Sequence, residues 1–319
     1  MTETMPSTDT IAWDPAHLPR QDGRTVVVTG ATAGIGYFAA EQLAAAGAEV
    51  VLASRSAAKL ARARDAILTR TPQARVRSVV LELGSLAAID DAVAALTELD
   101  RLDGVFLNGG AMSMQARART ADGLPLILGT HVVGHLRLLA GLLPALTATA
   151  EAHGGTGRVV HASTNFVRRF RPGFAEPAKV PRLGVVAYAK AKAVTEVLAY
   201  ELDRRLRAAG RPVVSVLSHP GVGVDARTPE RPGIRDASTP YQRNPYTPWA
   251  QGKDAAAWPG VRALTDPTAR GGEYFGPAGG TRGLPVRLPT PERTAAPGAD
   301  VAGRVWAQVE AMAGVELRV

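Results

Sequence analysis

The chain has 319 residues, of which 46% are hydrophobic, and a formal net charge of +8. This is enough apolar material for a core, and the length allows one large domain or two small ones. The absence of cysteine excludes disulfides, a thiolate nucleophile and a zinc–sulfur site. The positive charge comes from 32 arginines against 5 lysines, a usage typical of bacteria with high-GC genomes. These residues are scattered with few aromatics between them, so we expect no nucleic-acid partner.

The same composition argues against a metal site and a membrane span. The six histidines lack the spacing of a metal-ligand motif. The N-terminus has no basic segment followed by an apolar stretch, so no signal peptide is predicted. The longest apolar run, residues 138–146, is too short to cross a bilayer. We therefore expect no metal, no membrane partner and a cytoplasmic location.

Predicted strands and helices alternate along most of the chain. Residues 1–22 are polar and unpatterned, and predict an arm that lies over the surface or is disordered. The predicted strands are residues 25–29, 49–53, 76–82, 104–107, 157–161 and 212–217. The predicted helices are residues 35–46, 56–70, 86–99, 122–150, 186–209 and 302–313. This order predicts an α/β fold of the Rossmann type, with one doubly wound parallel sheet covered by helices on both faces.

The C-terminal third has a different composition. Residues 220–297 are rich in Pro, Gly and Arg, and predict an extended irregular region that covers the substrate site. Residues 272–276 are a candidate for a last short strand. With no internal repeat and no second core, residues 23–319 are predicted to form a single domain.

A glycine-rich turn follows the first predicted strand. Residues 29–36 read Thr-Gly-Ala-Thr-Ala-Gly-Ile-Gly and lead into a predicted helix. Such a turn directs backbone N–H groups and a helix N-terminus at one point, which suits a phosphate. The spacing matches neither G-x-G-x-x-G nor a Walker loop. Alternatively, the glycines only let the strand and helix pack closely.

The end of the second predicted strand favours NADP(H) over NAD(H). An NAD site has an acidic residue there for the ribose 2′-hydroxyl, whereas a basic residue suits the 2′-phosphate of NADP. Here Arg55 stands at that place, with Lys59 one turn further on. The alternative is a surface arginine without a role.

Tyr188 and Lys192 are a candidate acid–base pair. They are four residues apart in a predicted helix, so their side chains share a face. An ammonium group beside a phenol favours the phenolate and lowers the tyrosine pKa towards a useful range. The alternative is a packed tyrosine beside a solvated lysine.

Several motifs together resemble the short-chain dehydrogenase/reductase superfamily, and particularly its retinol-dehydrogenase-like branch. The resemblance covers residues 22–225, and more weakly residues 271–277 and the last helix. It rests on the turn at 29–36, Leu81-Glu82-Leu83, the segment 102–112, Tyr188-x-x-x-Lys192 and His219-Pro220-Gly221-Val222. It implies an NADP(H)-dependent oxidoreductase that interconverts a carbonyl and an alcohol on a small organic substrate, such as a secondary metabolite. Family members often form dimers or tetramers.

The resemblance also implies roles for individual residues. Tyr188 would be the general acid or base, Lys192 would hold the nicotinamide ribose, and a hydroxyl of Ser163 or Thr164 would polarise the substrate oxygen. The implied cofactor-binding residues are Gly30, Thr32, Gly34, Ile35, Gly36, Arg55, Glu82, Leu83, Asn108, Gly109, Gly110, Tyr188, Lys192, Pro220, Gly221 and Val222.

Three positions depart from the family pattern. Thr164 stands where the family has its catalytic serine, and Asp225 where a threonine often contacts the carboxamide. His131 replaces an asparagine that supports a proton relay; it could carry protons itself in a pH-sensitive way, or only fill space. These changes keep a second hypothesis open, in which the protein binds NADP(H) but catalyses a dehydration or cyclisation, or acts as a scaffold. Likewise, Arg168-Arg169-Phe170-Arg171 could form a substrate-recognising rim or a solvated loop.

Overall fold

The computed structural model describes residues 13–111, 118–241 and 243–319. Its strands are β1 (Thr25–Thr29), β2 (Glu49–Ser54), β3 (Arg75–Val80), β4 (Gly104–Leu107), β5 (Gly157–Ala162), β6 (Val213–Ser218), β7 (Tyr274–Pro277) and β8 (Pro285–Leu288). Its helices are α1 (Gly34–Ala45), α2 (Ala57–Arg70), α3 (Leu86–Thr97), α4 (Leu126–Leu128), α5 (Gly134–His153), α6 (Phe166–Phe170), α7 (Gly184–Ala208), α8 (Lys253–Thr265), α9 (Glu292–Ala295) and α10 (Ala299–Ala313).

The strands form one sheet in the order β3-β2-β1-β4-β5-β6-β7-β8. Strands β1 to β7 pair in parallel, and β8 pairs antiparallel with β7. All five residues of β1 are buried, as expected of an apolar strand covered on both faces. The predicted doubly wound α/β fold is therefore confirmed.

Two apolar layers sandwich the sheet. On one face, Leu139 of α5, Val194 of α7 and Trp306 of α10 belong to one buried cluster. On the other face, Phe38 of α1, Leu60 of α2 and Val261 of α8 belong to a second cluster. The helices thus hold the sheet rigid, and its carboxyl edge is left to the loops.

The predicted helix at 122–150 begins later and is not uniform. Pro125 is the N-cap of α4, and a five-residue π-helical segment, Gly129–Val133, joins α4 to α5. Together these elements make the helix 126–153, which is long and apolar enough to cross a membrane. Because 78% of its most apolar window is buried inside the protein, it also has the character of a core helix.

The expectation that residues 220–297 are irregular is wrong for part of this region. It contains α8, which packs on α1, and the β7–β8 hairpin. Pro259 and Gly260 lie inside α8 and obscure its helical pattern in the sequence. Gly260 is needed there, because a Cβ would lie 2.4 Å from the Phe106 ring of β4.

The described end of the N-terminal arm lies against the domain. Trp13 is buried and belongs to the cluster around α1 and α2. The backbone N–H of Gln21 donates a hydrogen bond of 2.8 Å to the carbonyl of Ala46, just beyond α1. Residues 13–22 therefore lie over the surface, and residues 1–12 are outside the described part of the chain.

Candidate functional site

A cleft of about 400 Å³ opens at the carboxyl edge of the sheet. It lies where the strand order reverses, between β1 and β4, which is where open α/β sheets bind ligands. Six of the predicted cofactor-binding residues line it: Gly30, Arg55, Glu82, Leu83, Gly109 and Gly110. The fold therefore brings the loops after β1, β2, β3 and β4 together at this edge.

The glycine-rich turn is a close-packed cradle. Gly30 has φ +69°, and a Cβ there would lie 2.8 Å from the Gly109 Cα. A Cβ on Gly36 would lie 2.4 Å from the Gly30 carbonyl oxygen and 2.6 Å from the Asn108 amide nitrogen. Ala33, the N-cap of α1, provides no side-chain cap for the first N–H groups. The glycines thus serve close packing and also leave a helix N-terminus available to a phosphate.

Thr29 joins β1 to β4 beneath this cradle. Its Oγ1 accepts hydrogen bonds from the backbone N–H groups of Asn108, at 3.0 Å, and Gly109, at 2.9 Å. The Asn108 side chain donates back to the Thr29 carbonyl at 3.1 Å. The sequence interpretation had placed Asn108 and Gly109 at the cofactor but gave Thr29 no role. Its position as the last residue of an apolar strand could have indicated this role.

Arg55 is exposed and directly follows β2, next to the hydroxyl groups of Ser54 and Thr32. The oxygens of Ser54 and Thr32 are 3.3 Å apart and link the second strand to the glycine turn. Across this link lies a second cleft of about 490 Å³, whose lining includes the cations Lys59, Arg62, Arg235 and Lys253. Among the described residues of this lining, the one acidic side chain is Asp225, so the positive side chains outnumber the negative ones in this cleft.

The acidic residue after β3 has a local partner. Glu82 Oε1 accepts a hydrogen bond from the Gly84 N–H at 2.9 Å, which shapes the turn between β3 and α3. Leu83 lies over Gly109, where a Cβ would come within 2.9 Å of the leucine Cδ1. Both residues line the same cleft as Arg55.

Tyr188 and Lys192 lie on one face of α7, as predicted, and both are buried. Lys192 is only 2% exposed, so the alternative of a solvated lysine is wrong. Its Nζ donates to the Ala162 carbonyl at 2.6 Å and lies 6.0 Å from the centre of the Tyr188 ring.

The expected effect of Lys192 on the tyrosine pKa is absent here. Burial raises the pKa of Tyr188 to about 12. It also lowers the pKa of Lys192 to about 7, although the charge of Glu196 acts to raise that pKa. Desolvation disfavours the charged form of each group, and the ammonium is bonded to a backbone carbonyl rather than to the phenol. In the protein by itself, Tyr188 is therefore a proton donor at neutral pH.

The structure separates the two candidate hydroxyls after β5. Ser163 is 2% exposed, and its hydroxyl donates to the buried Glu196 carboxylate at 2.5 Å. Thr164 accepts a bond from the Phe166 N–H at 3.3 Å, and its own hydroxyl hydrogen has no acceptor among the described residues. Thr164 is therefore the hydroxyl that remains able to donate to a substrate oxygen.

His131 is a buried neutral base beside Tyr188. The two rings meet edge to face with centres 5.3 Å apart. The Nε2 atom lies 3.2 Å from the Ala111 carbonyl, which can only accept, so Nε2 carries the proton. The Nδ1 atom has no partner among the described residues. Burial holds the pKa of His131 well below its usual value, so the residue does not titrate near neutral pH as a pH-sensitive relay would require.

The segment after β6 is held by a turn of the C-terminal region. Gly221 has φ +65°, and a Cβ there would lie 2.3 Å from the Thr281 carbonyl oxygen. The same carbonyl accepts a hydrogen bond from Val222 N–H at 2.9 Å, and the Pro220 carbonyl accepts one from Gln251 at 3.0 Å. These residues follow β6 and do not line the cleft near Arg55.

Asp225 is buried and ion-paired. Its carboxylate lies 2.6 Å from the Lys253 Nζ at the start of α8, and it is 5% exposed. The negative charge expected beside the nicotinamide is therefore balanced within the protein.

Aromatic side chains lead outward from Tyr188. The Phe166 ring lies 6.5 Å from the Tyr188 ring and 5.5 Å from that of Phe170, which is 38% exposed. Arg168 and Arg169 are exposed on the same short helix. This segment forms an apolar wall with a basic rim. Met112, the last residue of the family-like segment 102–112, lies outside the described residues.

A nicotinamide dinucleotide fits this arrangement. Glycines let the turn after β1 pack closely against the loop after β4, and the N-terminus of α1 has no side-chain cap. Positive side chains line the neighbouring cleft, and Lys192 of the buried pair is bonded to the end of β5 at the same sheet edge. Among the described residues no group of three or more His, Asp or Glu side chains could hold a metal ion.

Comparisons with known proteins agree with this geometry. The family model for short chain dehydrogenases matches residues 24–228. Mouse polyprenol dehydrogenase is 34% identical over 65% of this chain, and human retinol dehydrogenase 13 is 29% identical over 92% of this chain and 86% of its own length. The solved structure of an uncharacterized protein from Mycobacterium paratuberculosis has a TM-score of 0.75 at 27% identity, covering 97% of this chain and all of that one.

The coverage of these matches supports a family for this chain but not a substrate. The chain spans 56% of the length of one curated relative and 62% of that of the mouse protein, so the substrates of the whole relatives do not transfer directly. The family match covers well over half of this chain, including the cradle, Tyr188 and Lys192. The chain belongs to the short-chain dehydrogenase/reductase family of nicotinamide-dependent oxidoreductases, within its retinol-dehydrogenase-like branch.

Proposed function

We propose that the protein is an NADP(H)-dependent oxidoreductase that interconverts a carbonyl and an alcohol on a small organic substrate. The observation that carries this proposal is the buried pair of Tyr188 and Lys192, with the uncommitted Thr164 hydroxyl, at the same sheet edge as the glycine cradle. The reduced nicotinamide, when bound, supplies the hydride. The side chains of the protein supply the proton and stabilise charge on the substrate oxygen.

Each side chain has a separate task in this scheme. The Thr164 hydroxyl donates a hydrogen bond to the substrate oxygen and so stabilises the negative charge that develops there. Tyr188 delivers its phenolic proton to the same oxygen during reduction and takes it back during oxidation. The pKa of Tyr188, raised by burial to about 12, keeps the phenol protonated before reduction begins. The Lys192 ammonium holds the nicotinamide ribose and favours the phenolate that remains.

The preference for NADP(H) is proposed from the charges beside the adenosine end of the cleft. Arg55 follows β2 where an NAD site would have an acid. Lys59, Arg62 and Arg235 line the neighbouring cleft and add to the positive field. A ribose 2′-phosphate would be attracted by these cations, whereas a free 2′-hydroxyl would gain little from them.

This preference is tested by replacing Arg55. We expect Arg55→Gln to weaken NADPH binding by about 10- to 100-fold, the loss of one charge-assisted contact, and to leave NADH binding unchanged. The matched control is Arg64→Gln, an exposed arginine on the adjacent helix α2 that does not line either cleft. An unchanged NADPH:NADH ratio in Arg55→Gln would contradict the assignment.

The substrate is proposed to be apolar close to its carbonyl carbon. Phe166 and Phe170 form the wall that leads from Tyr188 to the surface. The human and mouse relatives are named for retinol and polyprenol, which supports the same class. Apolar aldehydes and ketones, including aromatic ones, are therefore the compounds to screen first.

Turnover experiments test the reaction itself. Loss of NADPH absorbance in the presence of each carbonyl compound is followed for the wild type, Tyr188→Phe, Thr164→Val and Thr164→Ser. We expect Tyr188→Phe to lose about 10²- to 10⁴-fold in kcat, the usual worth of a general acid. Thr164→Val should lose about 10²-fold, and Thr164→Ser, which keeps the hydroxyl, should remain active. Substrate conversion without net NADPH oxidation would instead favour the dehydration or cyclisation hypothesis.

A further inference from the structure

Glu196 is a buried carboxylate directly behind the proposed catalytic pair. It lies on α7, one helical turn after Lys192, and is only 1% exposed. Its Oε1 accepts hydrogen bonds from the hydroxyls of Ser163, at 2.5 Å, and Tyr274, at 3.1 Å. Its Oε2 accepts one from the Thr294 hydroxyl at 2.8 Å. The carboxylate therefore ties together β5, β7 and α9.

The hydrogen bonds of Glu196 suit an ionised carboxylate. Three hydroxyl groups donate to its two oxygens, which is the pattern of an ionised carboxylate, an acceptor only. These bonds lower the pKa of Glu196 against the larger effect of burial, which keeps that pKa above its usual value. A buried anion is costly unless a cation compensates it. The described ion pairs join Glu196 to no cation directly, and Lys192 is the buried cation on the same helix face.

The end of β5 binds both members of this pair. The Ala162 carbonyl accepts a hydrogen bond from Lys192, and the next residue, Ser163, donates one to Glu196. Two consecutive residues of the strand end are thus fixed to two residues one turn apart on the helix. The following residue is Thr164, and Tyr188 lies one turn before Lys192. The two bonds therefore set the position of the Thr164 hydroxyl relative to the Tyr188 phenol.

We propose that Glu196 is a positioning residue of the site: its charge keeps Lys192 protonated inside the protein, and its bond to Ser163 holds Thr164 in register with Tyr188. The catalytic part of this inference rests on the proposed function, whereas the charge coupling does not. Other groups also act on the pair from the surrounding elements. The groups that face Lys192 are Tyr188, His131, His135 and His161. The groups that interact electrostatically with Glu196 are Arg168, Tyr200, Tyr274 and Arg293, and His219 lies beside Tyr274.

The charge coupling can be measured without cofactor or substrate. The chain has only 5 lysines, so a protein labelled with ¹³C at the lysine ε-carbons gives few signals, and Lys192→Arg identifies the relevant one. Glu196→Gln keeps the size of the side chain and removes its charge. Because a nearby anion favours the ammonium, we expect the Lys192 midpoint in Glu196→Gln to fall by about one pH unit. An unchanged midpoint would overturn the proposal.

Two tyrosine variants keep the test available if Glu196→Gln does not fold. Tyr274→Phe removes one donor from the carboxylate, which raises the pKa of Glu196 further and leaves less of it ionised. The Lys192 midpoint should therefore fall, by less than in Glu196→Gln. Tyr200→Phe is the matched control, because the Tyr200 hydroxyl lies in the same region but has no hydrogen-bond partner among the described residues. Equal midpoints in the wild type and Tyr274→Phe would count against the coupling, as would an equal shift in Tyr200→Phe.

The functional part is read from NADPH binding and turnover as a function of pH. In Glu196→Gln the pH at which NADPH affinity falls should move down together with the lysine midpoint, and kcat near pH 7.5 should drop by about 10-fold. A uniform loss of affinity at all pH values would indicate a merely structural role and overturn the proposal. If the wild type binds neither nucleotide, the proposed function fails, and the lysine titration still decides the charge coupling.

Discussion

Four buried histidines predict that the domain loses stability steeply in mild acid. His131, His135, His161 and His219 are each 6% exposed or less. Burial holds their pKa values far below the usual 6.5, to about 3 for His135, His161 and His219. They stay neutral in the folded protein, whereas in the unfolded chain they take up protons as the pH falls through about 6.5. Stability is therefore highest above pH 6.5 and is lost progressively between pH 6.5 and pH 3.

The magnitude follows from proton linkage. At pH 5.5 and pH 6.5, four such groups reduce the free energy of unfolding by about 6 and about 2 kcal/mol respectively, relative to neutral or higher pH. The expected loss between these two values is thus about 4 kcal/mol, a large part of the 5–15 kcal/mol typical of a domain. We expect the domain to unfold near pH 5 without denaturant.

Urea unfolding followed by circular dichroism between pH 7.5 and pH 5.5 measures this slope. His161→Gln can keep the hydrogen bond to the Ser215 hydroxyl, which is 3.1 Å from the imidazole, and should reduce the slope by about one proton. The exposed His153→Gln is the control and should leave the slope unchanged. A change of less than about 1 kcal/mol between pH 6.5 and pH 5.5 in the wild type would show that the four histidines do not stay neutral in the folded protein.

Three further predictions concern packing. Gly36→Ala should abolish nucleotide binding in a fluorescence titration and cost about 1–3 kcal/mol in thermal or urea unfolding, because its Cβ would overlap the Gly30 carbonyl. Gly303→Ala, at a half-buried position of α10 with open space around the added Cβ, should instead raise the free energy of unfolding by about 0.5–1 kcal/mol in the same assay. A loss would show that the helix is packed differently. Trp306→Ala should lower the free energy of unfolding by about 3–5 kcal/mol. The reason is that this fully buried ring joins α10 to the core and stacks under the Arg205 guanidinium at 4.2 Å. Trp306→Phe should lower it by less.

The sequence was sufficient for the parallel strands of the sheet and for several residues that line the cleft, but not for β8, which pairs antiparallel with β7. Runs such as Thr25–Thr29 are apolar because both faces of the strand are covered, and this pattern marks a parallel sheet. The turn after β1 and the position of Arg55 follow from the topology, since the carboxyl ends of parallel strands meet at one edge.

Other features depend on tertiary contacts and had no local signal. Helix α8 contains Pro259 and Gly260, which disfavour a helix, and is stabilised by packing on α1. The choice between Ser163 and Thr164 needed the position of Glu196, which lies 33 residues away from Ser163 in the chain. A glutamate one turn after Lys192 was the only signal for that contact, and its burial could not be read from the sequence.

The central claim is that the carboxyl edge of this sheet binds NADP(H) for redox chemistry. Titration of the purified wild-type protein with NADPH and with NADH, followed by nicotinamide fluorescence, tests this most directly. The account predicts tight binding of NADPH and weak binding of NADH. Binding of neither nucleotide would contradict it, because the cradle, Arg55 and the Tyr188–Lys192 pair would then have no ligand to act on.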